Sequence, residues 1–122
     1  MALQRTINPE QKTFTAYGEG YVAINNERFT QPIVVTAKDV FTDWGAKNFA
    51  TLTAAHFDYF LPLAPEVLLL GTGNQQHFAY PALFRQLIEH GISIEFMDTR
   101  AACRTYNILV AEDRKVVAAI LI

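Results

Sequence analysis

The sequence predicts a single α/β domain, hairpin-rich in its first half and built as strand, helix, strand in its second. Three observations carry this. An apolar run, Val67 to Leu70, ends in Gly71-Thr72-Gly73; a helical period follows Pro81; and short strand-like segments broken by Gly and Asn turns fill the first half. At 122 residues the chain is near the commonest domain size, and folding at that length buries roughly two thirds of the unfolded surface. One core is enough.

In the first half, Thr13 to Tyr17, Tyr21 to Ile24 and Pro32 to Thr36 read as strands, with Gly18-Glu19-Gly20 and Asn25-Asn26-Glu27 as turns between them. Val40 to Trp44 adds another short strand. Thr53 caps a short helix, Ala54 to Leu61, whose apolar face is Phe57, Phe60 and Leu61 and which Pro62 stops. The texture changes near Pro62 to Pro65. Val67 to Leu70 is apolar on both faces, as a central strand covered on two sides must be. Pro81 suits a first helical position, and Leu83, Phe84, Leu87 and Ile88 follow at helical spacing to Gly91. Ile92 to Met97 is a second strand. Asp98 and Thr99 both suit a helix start, Ala102, Tyr106, Leu109 and Val110 mark the apolar face that follows to about Glu112, and Val116 to Ile122 is a buried final strand.

Hydrophobic residues at 51% and charged residues at 18% exclude a disordered chain. A formal charge of -2 supplies no positive field for nucleic acid or anionic lipid. Cys103 is the only cysteine, which rules out an internal disulfide and a multi-cysteine metal site within one chain. Met1 to Asn8 lacks the basic start and apolar stretch of a secretory signal, and the longest apolar runs fall far short of the roughly 20 residues of a membrane span. These features lead us to expect a cytoplasmic protein with no membrane insertion, and they leave self-association open.

Two strands joined by one helix form a crossover, so both strands end on the same sheet edge and Gly71-Thr72-Gly73 lies beside Asp98-Thr99-Arg100. Open α/β sheets bind ligands at that edge, where helix N-termini present unpaired N–H groups. The functional reading is a small-anion or phosphate pocket lined by Thr72, Gly73, Asn74, Thr99, Arg100 and Arg104. The structural reading of the same residues is a tight turn, a helix cap and two solvated arginines. Nucleotide motifs fit poorly, since a phosphate loop needs Lys and Ser or Thr where Asn74-Gln75-Gln76-His77 stands, and a dinucleotide fingerprint needs a glycine where Gln76 stands. Cys103, in a first helical turn near Arg100 and Arg104, has the setting of a nucleophilic thiolate, yet its neighbours Ala101 and Ala102 suit a buried, slow-reacting thiol better. His56, His77 and His90 lie on separate elements and pair with no ligand at metal-binding spacing. The expectation is no catalytic set, no metal and no cofactor.

From Val67 onward the chain carries Leu68-Leu69-Leu70-Gly71-Thr72-Gly73, His90-Gly91-Ile92, Met97-Asp98-Thr99, Ala102-Cys103 and Thr105-Tyr106-Asn107. In order and spacing these motifs resemble the family numbered 498 among domains of unknown function. The Tyr17-Gly18 and Trp44 regions are similar too, so the resemblance covers most of the chain. That family includes mitochondrial complex I assembly factor 3 and short bacterial proteins without assigned activity. The resemblance implies a three-layer α/β domain with a mixed central sheet, supplies no catalytic residue set, and points to protein contacts. It favours a non-catalytic binding or assembly-factor-like domain, with a small-anion or nucleotide-binding protein, an enzyme included, as the alternative.

Overall fold

The computed structural model describes residues 11–122, so the reading of Met1 to Asn8 lies outside the described residues. Two sheets form. The first is an antiparallel meander of β1 (Phe14–Gly18), β2 (Tyr21–Ile24) and β3 (Glu27–Phe29). Its turns are the expected ones: Gly20 lies at φ 78°, and Asn25 and Asn26 take φ 49° and 74°, the left-handed conformations that a two-residue hairpin loop requires. β3 was not visible in the sequence because two of its three residues, Glu27 and Arg28, are charged and exposed.

The second sheet has five strands in the order β5-β4-β8-β6-β7, from β4 (Ile33–Val35), β5 (Val40–Phe41), β6 (Val67–Gly71), β7 (Ser93–Met97) and β8 (Val116–Ile120). It is mixed: β6 runs parallel to both β7 and β8, while β4 runs antiparallel to β5 and β8. Every residue of β6 and β8 is buried, which is why both read as unbroken apolar runs. Alternation sorts them. Val67, Leu69, Val116, Ala118 and Ile120 face one core, and Leu68, Leu70, Val117 and Ala119 face the other.

The first core is closed by α3 (Thr99–Ala111) and the meander, and the second by α1 (Ala54–Asp58), α2 (Arg85–Glu89), Trp44 and Phe60, giving three layers. α3 ties the meander down through polar as well as apolar contacts. Asn107 Oδ1 accepts the Phe14 N–H at 2.9 Å while its Nδ2 donates to the Phe14 carbonyl at 2.8 Å, so one amide stands in for a strand partner. Beside it the Tyr106 hydroxyl donates to the Lys12 carbonyl at 2.9 Å, and its ring meets Phe14 edge-on at 5.3 Å.

Three expectations need correction. The helix expected from Pro81 to His90 is a 3₁₀ turn (Pro81–Phe84) followed by the five-residue α2, because Phe84 takes φ -120° and ψ 27° and breaks the helical path. Ile88, expected on its apolar face, is 53% exposed. The helix after Thr53 ends at Asp58, with only turns beyond it as far as Leu63, and β5 stops at Phe41 so that Trp44 is free to point into the second core.

Candidate functional site

The carboxyl ends of the three parallel strands meet at one edge, where Gly71 pairs with both Met97 and Ile120. The chain is knotted there by backbone bonds and one hydroxyl. The Leu121 N–H donates to the Gly71 carbonyl at 2.9 Å, and the Thr99 N–H to the Gly73 carbonyl at 2.9 Å. Thr99 Oγ1 accepts the Gly73 N–H at 2.9 Å and donates to the Leu121 carbonyl at 2.6 Å. A side chain at 71 would block this: a Cβ there stands 3.1 Å from Thr99 Cα and from Thr99 Oγ1. Gly71 is what lets the first turn of α3 lie against the sheet, and Gly73, at φ 102°, turns the chain away from it.

Beside this knot lies a cleft of about 340 Å³, bounded on its far side by the β1–β2 turn. Gly73, Asn74, Thr99 and Arg100 line it. Thr72 does not: it is 5% exposed, its hydroxyl donates to the Gln75 carbonyl at 2.6 Å, and it accepts the His77 N–H at 3.2 Å. Arg104 does not either, standing exposed one turn further along α3. The lining side chains that the sequence did not point to are Tyr17, Glu19 and Tyr21, with Leu121 and Ile122 just past the end of β8. Asp98, which the sequence sets beside the Gly71-Thr72-Gly73 turn and at the helix start, lines the cleft too, whereas Tyr17, Glu19 and Tyr21 come from a hairpin about 80 residues earlier that no local spacing places here. Tyr21 folds back over Gly18, where a Cβ would stand 2.5 Å from its ring, and the Arg28 guanidinium lies 3.8 Å from the ring centroid.

The electrostatics of the cleft weigh against an anion. Asp98 is the N-cap of α3, and its Oδ1 accepts the Ala101 N–H at 2.9 Å while its carbonyl takes the Ala102 N–H at 3.0 Å. The first N–H groups of the helix are therefore largely engaged within the fold. Glu19 and Asp98 bring two carboxylates to the lining against the single guanidinium of Arg100. Cys103, on the buried side of α3, has its thiol pushed up to about 12 chiefly by burial, with Arg104 pulling down and Asp98 pushing further up. It is a fully buried, packed side chain whose surroundings disfavour the thiolate.

A second feature sits on the connection from β6 to β7. Phe78 is 72% exposed and Tyr80 82%, and Ile88 follows on α2. Phe78 meets Phe96 at 6.0 Å between ring centroids and Phe96 meets Phe84 at 5.4 Å, so the Phe78 ring continues an aromatic row that runs inward to Phe57. The same connection stacks His77 on Phe49 at 5.0 Å.

Fold and site together define a small three-layer α/β domain with a polar cleft at the carboxyl edge of its mixed sheet and exposed aromatic side chains on the connection from β6 to β7. The chain belongs to the family described as Protein of unknown function (DUF498/DUF598), whose pattern matches residues 14–121. It is 31% identical over 105 residues to the "13 kDa major membrane protein" of Francisella tularensis subsp. holarctica (strain LVS), covering 84% of this chain and 85% of that one. It is 29% identical over 121 residues to the NADH dehydrogenase (ubiquinone) 1 alpha subcomplex assembly factor 3 of Bos taurus, covering 98% of this chain and 65% of that longer protein. Among solved structures, a crystal structure of a Bordetella parapertussis protein superposes with a TM-score of 0.86 at 45% identity, covering 91% of this chain and 95% of that one. No helix among the described residues is long and apolar enough to cross a membrane.

Proposed function

We propose that this is a non-catalytic binding domain that acts through protein contacts, with the exposed side chains Phe78, Tyr80 and Ile88 of the connection from β6 to β7 contributing the contact surface. The observation that carries the reading is the exposure of two large aromatic rings, 72% and 82%, on one short connection. Apolar surface left exposed in a cluster marks an interaction site, and aromatic residues supply most of the energy at such sites. The name of the bovine relative, an assembly factor, supports a role in bringing other proteins together, and the buried Cys103 thiol removes the chain's one thiol nucleophile.

The test is paired affinity capture from the native organism with the parent and with the double variant Phe78→Ser, Tyr80→Ser. A protein held by the parent and lost by the double variant supports the reading. Identical capture profiles for the two would sink it. Small molecules analysed in the same eluates test the alternative: a compound retained by the parent and lost on Arg100→Ala would move the function to the cleft.

A further inference from the structure

The main sheet has two edge strands of unequal length. β5 is two residues long, whereas β7 presents five, Ser93 to Met97, with no strand beyond it among the described residues. Alternation fixes which of its backbone groups are free. The Ser93 N–H donates to the Glu66 carbonyl at 3.2 Å and the Met97 carbonyl accepts the Thr72 N–H at 2.8 Å, so residues 93, 95 and 97 bond inward to β6. Ile94 and Phe96 therefore turn their N–H and carbonyl groups outward. The fold closes two positions along this row: Gln76 Nε2 donates to the Phe96 carbonyl at 2.8 Å, and the Ile92 N–H donates to the Leu87 carbonyl at 3.0 Å. An edge that keeps the Ile94 N–H and carbonyl and the Phe96 N–H open, with no proline and a single charge, is a template for another strand.

A second copy of this chain fits that row. Two β7 strands can pair antiparallel about a two-fold axis at Ile94, Glu95 or Phe96, and these registers are not equivalent. An axis at Glu95 sets that carboxylate against its own copy, and like charges directly opposite are destabilising. An axis at Phe96 needs the Phe96 carbonyl that Gln76 already holds. An axis at Ile94 avoids both. It exchanges N–H···O bonds between the two Ile94 residues and sends each Phe96 N–H to the Ile92 carbonyl of the other copy. The return bond of that pair would join the Ile92 N–H to the Phe96 carbonyl, the two groups the fold has already satisfied. On one face the register sets Glu95 opposite Ser93, both exposed, and on the other it sets Ile94 against Ile94. Exposed apolar side chains bracket the strand. Phe78 stands beside Phe96 near its end, and Ile88 lies at the end of α2 that the Ile92 N–H ties to its start. Antiparallel pairing brings the end of one strand beside the start of the other, so the Phe78 region of each copy meets the Ile88 region of its mate.

We propose that two copies of this chain join through β7, antiparallel about a two-fold axis at Ile94, so that their main sheets become one continuous sheet. The dimer rests on the reading of this domain as one that acts through protein contacts, and it supplies one partner, the chain itself.

Sedimentation velocity of the parent across a concentration series is the test. A reversible dimer with a dissociation constant below about 100 μM is expected. Position 93 reads the register, because its side chain is exposed and can be replaced without touching either core. Ser93→Glu sets it against Glu95 of the other copy at both symmetry-related positions and should weaken the dimer at least about tenfold. The double variant Ser93→Glu, Glu95→Lys should restore the association. Ser93→Lys, which faces Glu95 of the other copy with opposite charge, should tighten it, and this readout does not depend on the folding of the first variant. A parent still monomeric at about 1 mM overturns the proposal, as does a dimer indifferent to all three variants. A monomeric parent whose capture of another protein depends on Phe78 and Tyr80 overturns the dimer alone and leaves the contact reading standing.

Discussion

α3 and the stretch from Phe78 to Glu89 carry similar apolar spacing in sequence and meet opposite fates. α3 is thirteen residues of unbroken helix, capped by Asp98, with Ala102, Cys103, Tyr106 and Val110 buried against the sheet. The other stretch breaks into a 3₁₀ turn and a five-residue helix, buries only Leu87 fully, and leaves Phe78, Tyr80 and Ile88 in solvent. The difference is one of proportion: α3 leaves one large apolar side chain exposed, Ile108 at 59%, against the three of the other stretch. α3 is spent on stability, whereas the 78–89 stretch keeps apolar area in reserve, as a binding surface must.

The largest effect should come from Tyr106→Ala. It removes a fully buried ring packed on Phe14 and the hydroxyl bond to Lys12, and aromatic truncation in a core costs about 3–5 kcal/mol. Phe84→Ala, at a half-buried position of the other stretch, should cost clearly less. Denaturant midpoints measure both, and equal losses would erase the contrast between the two segments.

Alkali should expose the burial of α3 next. The Cys103 thiol ionises at about 12 in the fold against its ordinary 9.0, so the unfolded chain loses its proton first as pH rises. The stabilisation is complete below pH 9 and is lost between 9 and 12. The stability difference between parent and Cys103→Ala should therefore narrow across that window, and a thiol reagent at neutral pH should label the native parent slowly. Rapid native labelling would place the thiol at the surface.

At the head of α3 the two adjacent capping candidates separate into distinct roles. Thr99→Ala leaves the Gly73 N–H and the Leu121 carbonyl without their shared hydroxyl and should cost about 1–3 kcal/mol, while Thr99→Ser keeps the bridge and should stay close to the parent. Asp98→Ala removes the cap on Ala101 and should cost about 0.5–2 kcal/mol. Thermal melting distinguishes them; a Thr99→Ser variant as unstable as Thr99→Ala would assign the loss to the methyl group.

The sequence showed most of the second half because its signals are local. A buried strand shows as an apolar run, a helix start as Asp98, and the edge shared by Gly71 and Asp98 follows from a short crossover. The cleft was half legible for the same reason: Gly73, Asn74, Thr99 and Arg100 flank the crossover, whereas Tyr17, Glu19 and Tyr21 arrive through the docking of a separate sheet. That docking runs through Asn107 and Tyr106, whose bonds to Phe14 and Lys12 span more than ninety residues. The break at Phe84 was invisible because apolar spacing reports which side chains share a face and not whether the core has room for them.

The smallest stability effect should come from the aromatic row, and its smallness is the point. A ring packed in the core cannot be replaced by a serine without leaving a cavity, but Phe78 and Tyr80 already give most of their surface to water. Phe78→Ser and Tyr80→Ser should each shift stability by no more than about 0.5 kcal/mol, the range of ordinary surface substitutions. Phe78 is the more informative of the two because its ring meets Phe96, so it would be the first to betray a structural role. Chemical denaturation of each single variant measures this directly. A loss of several kcal/mol at Phe78 would mean that the row is part of the second core, and the contrast with α3 would then be one of degree; an unchanged midpoint leaves exposed aromatic surface for which the fold itself has no use.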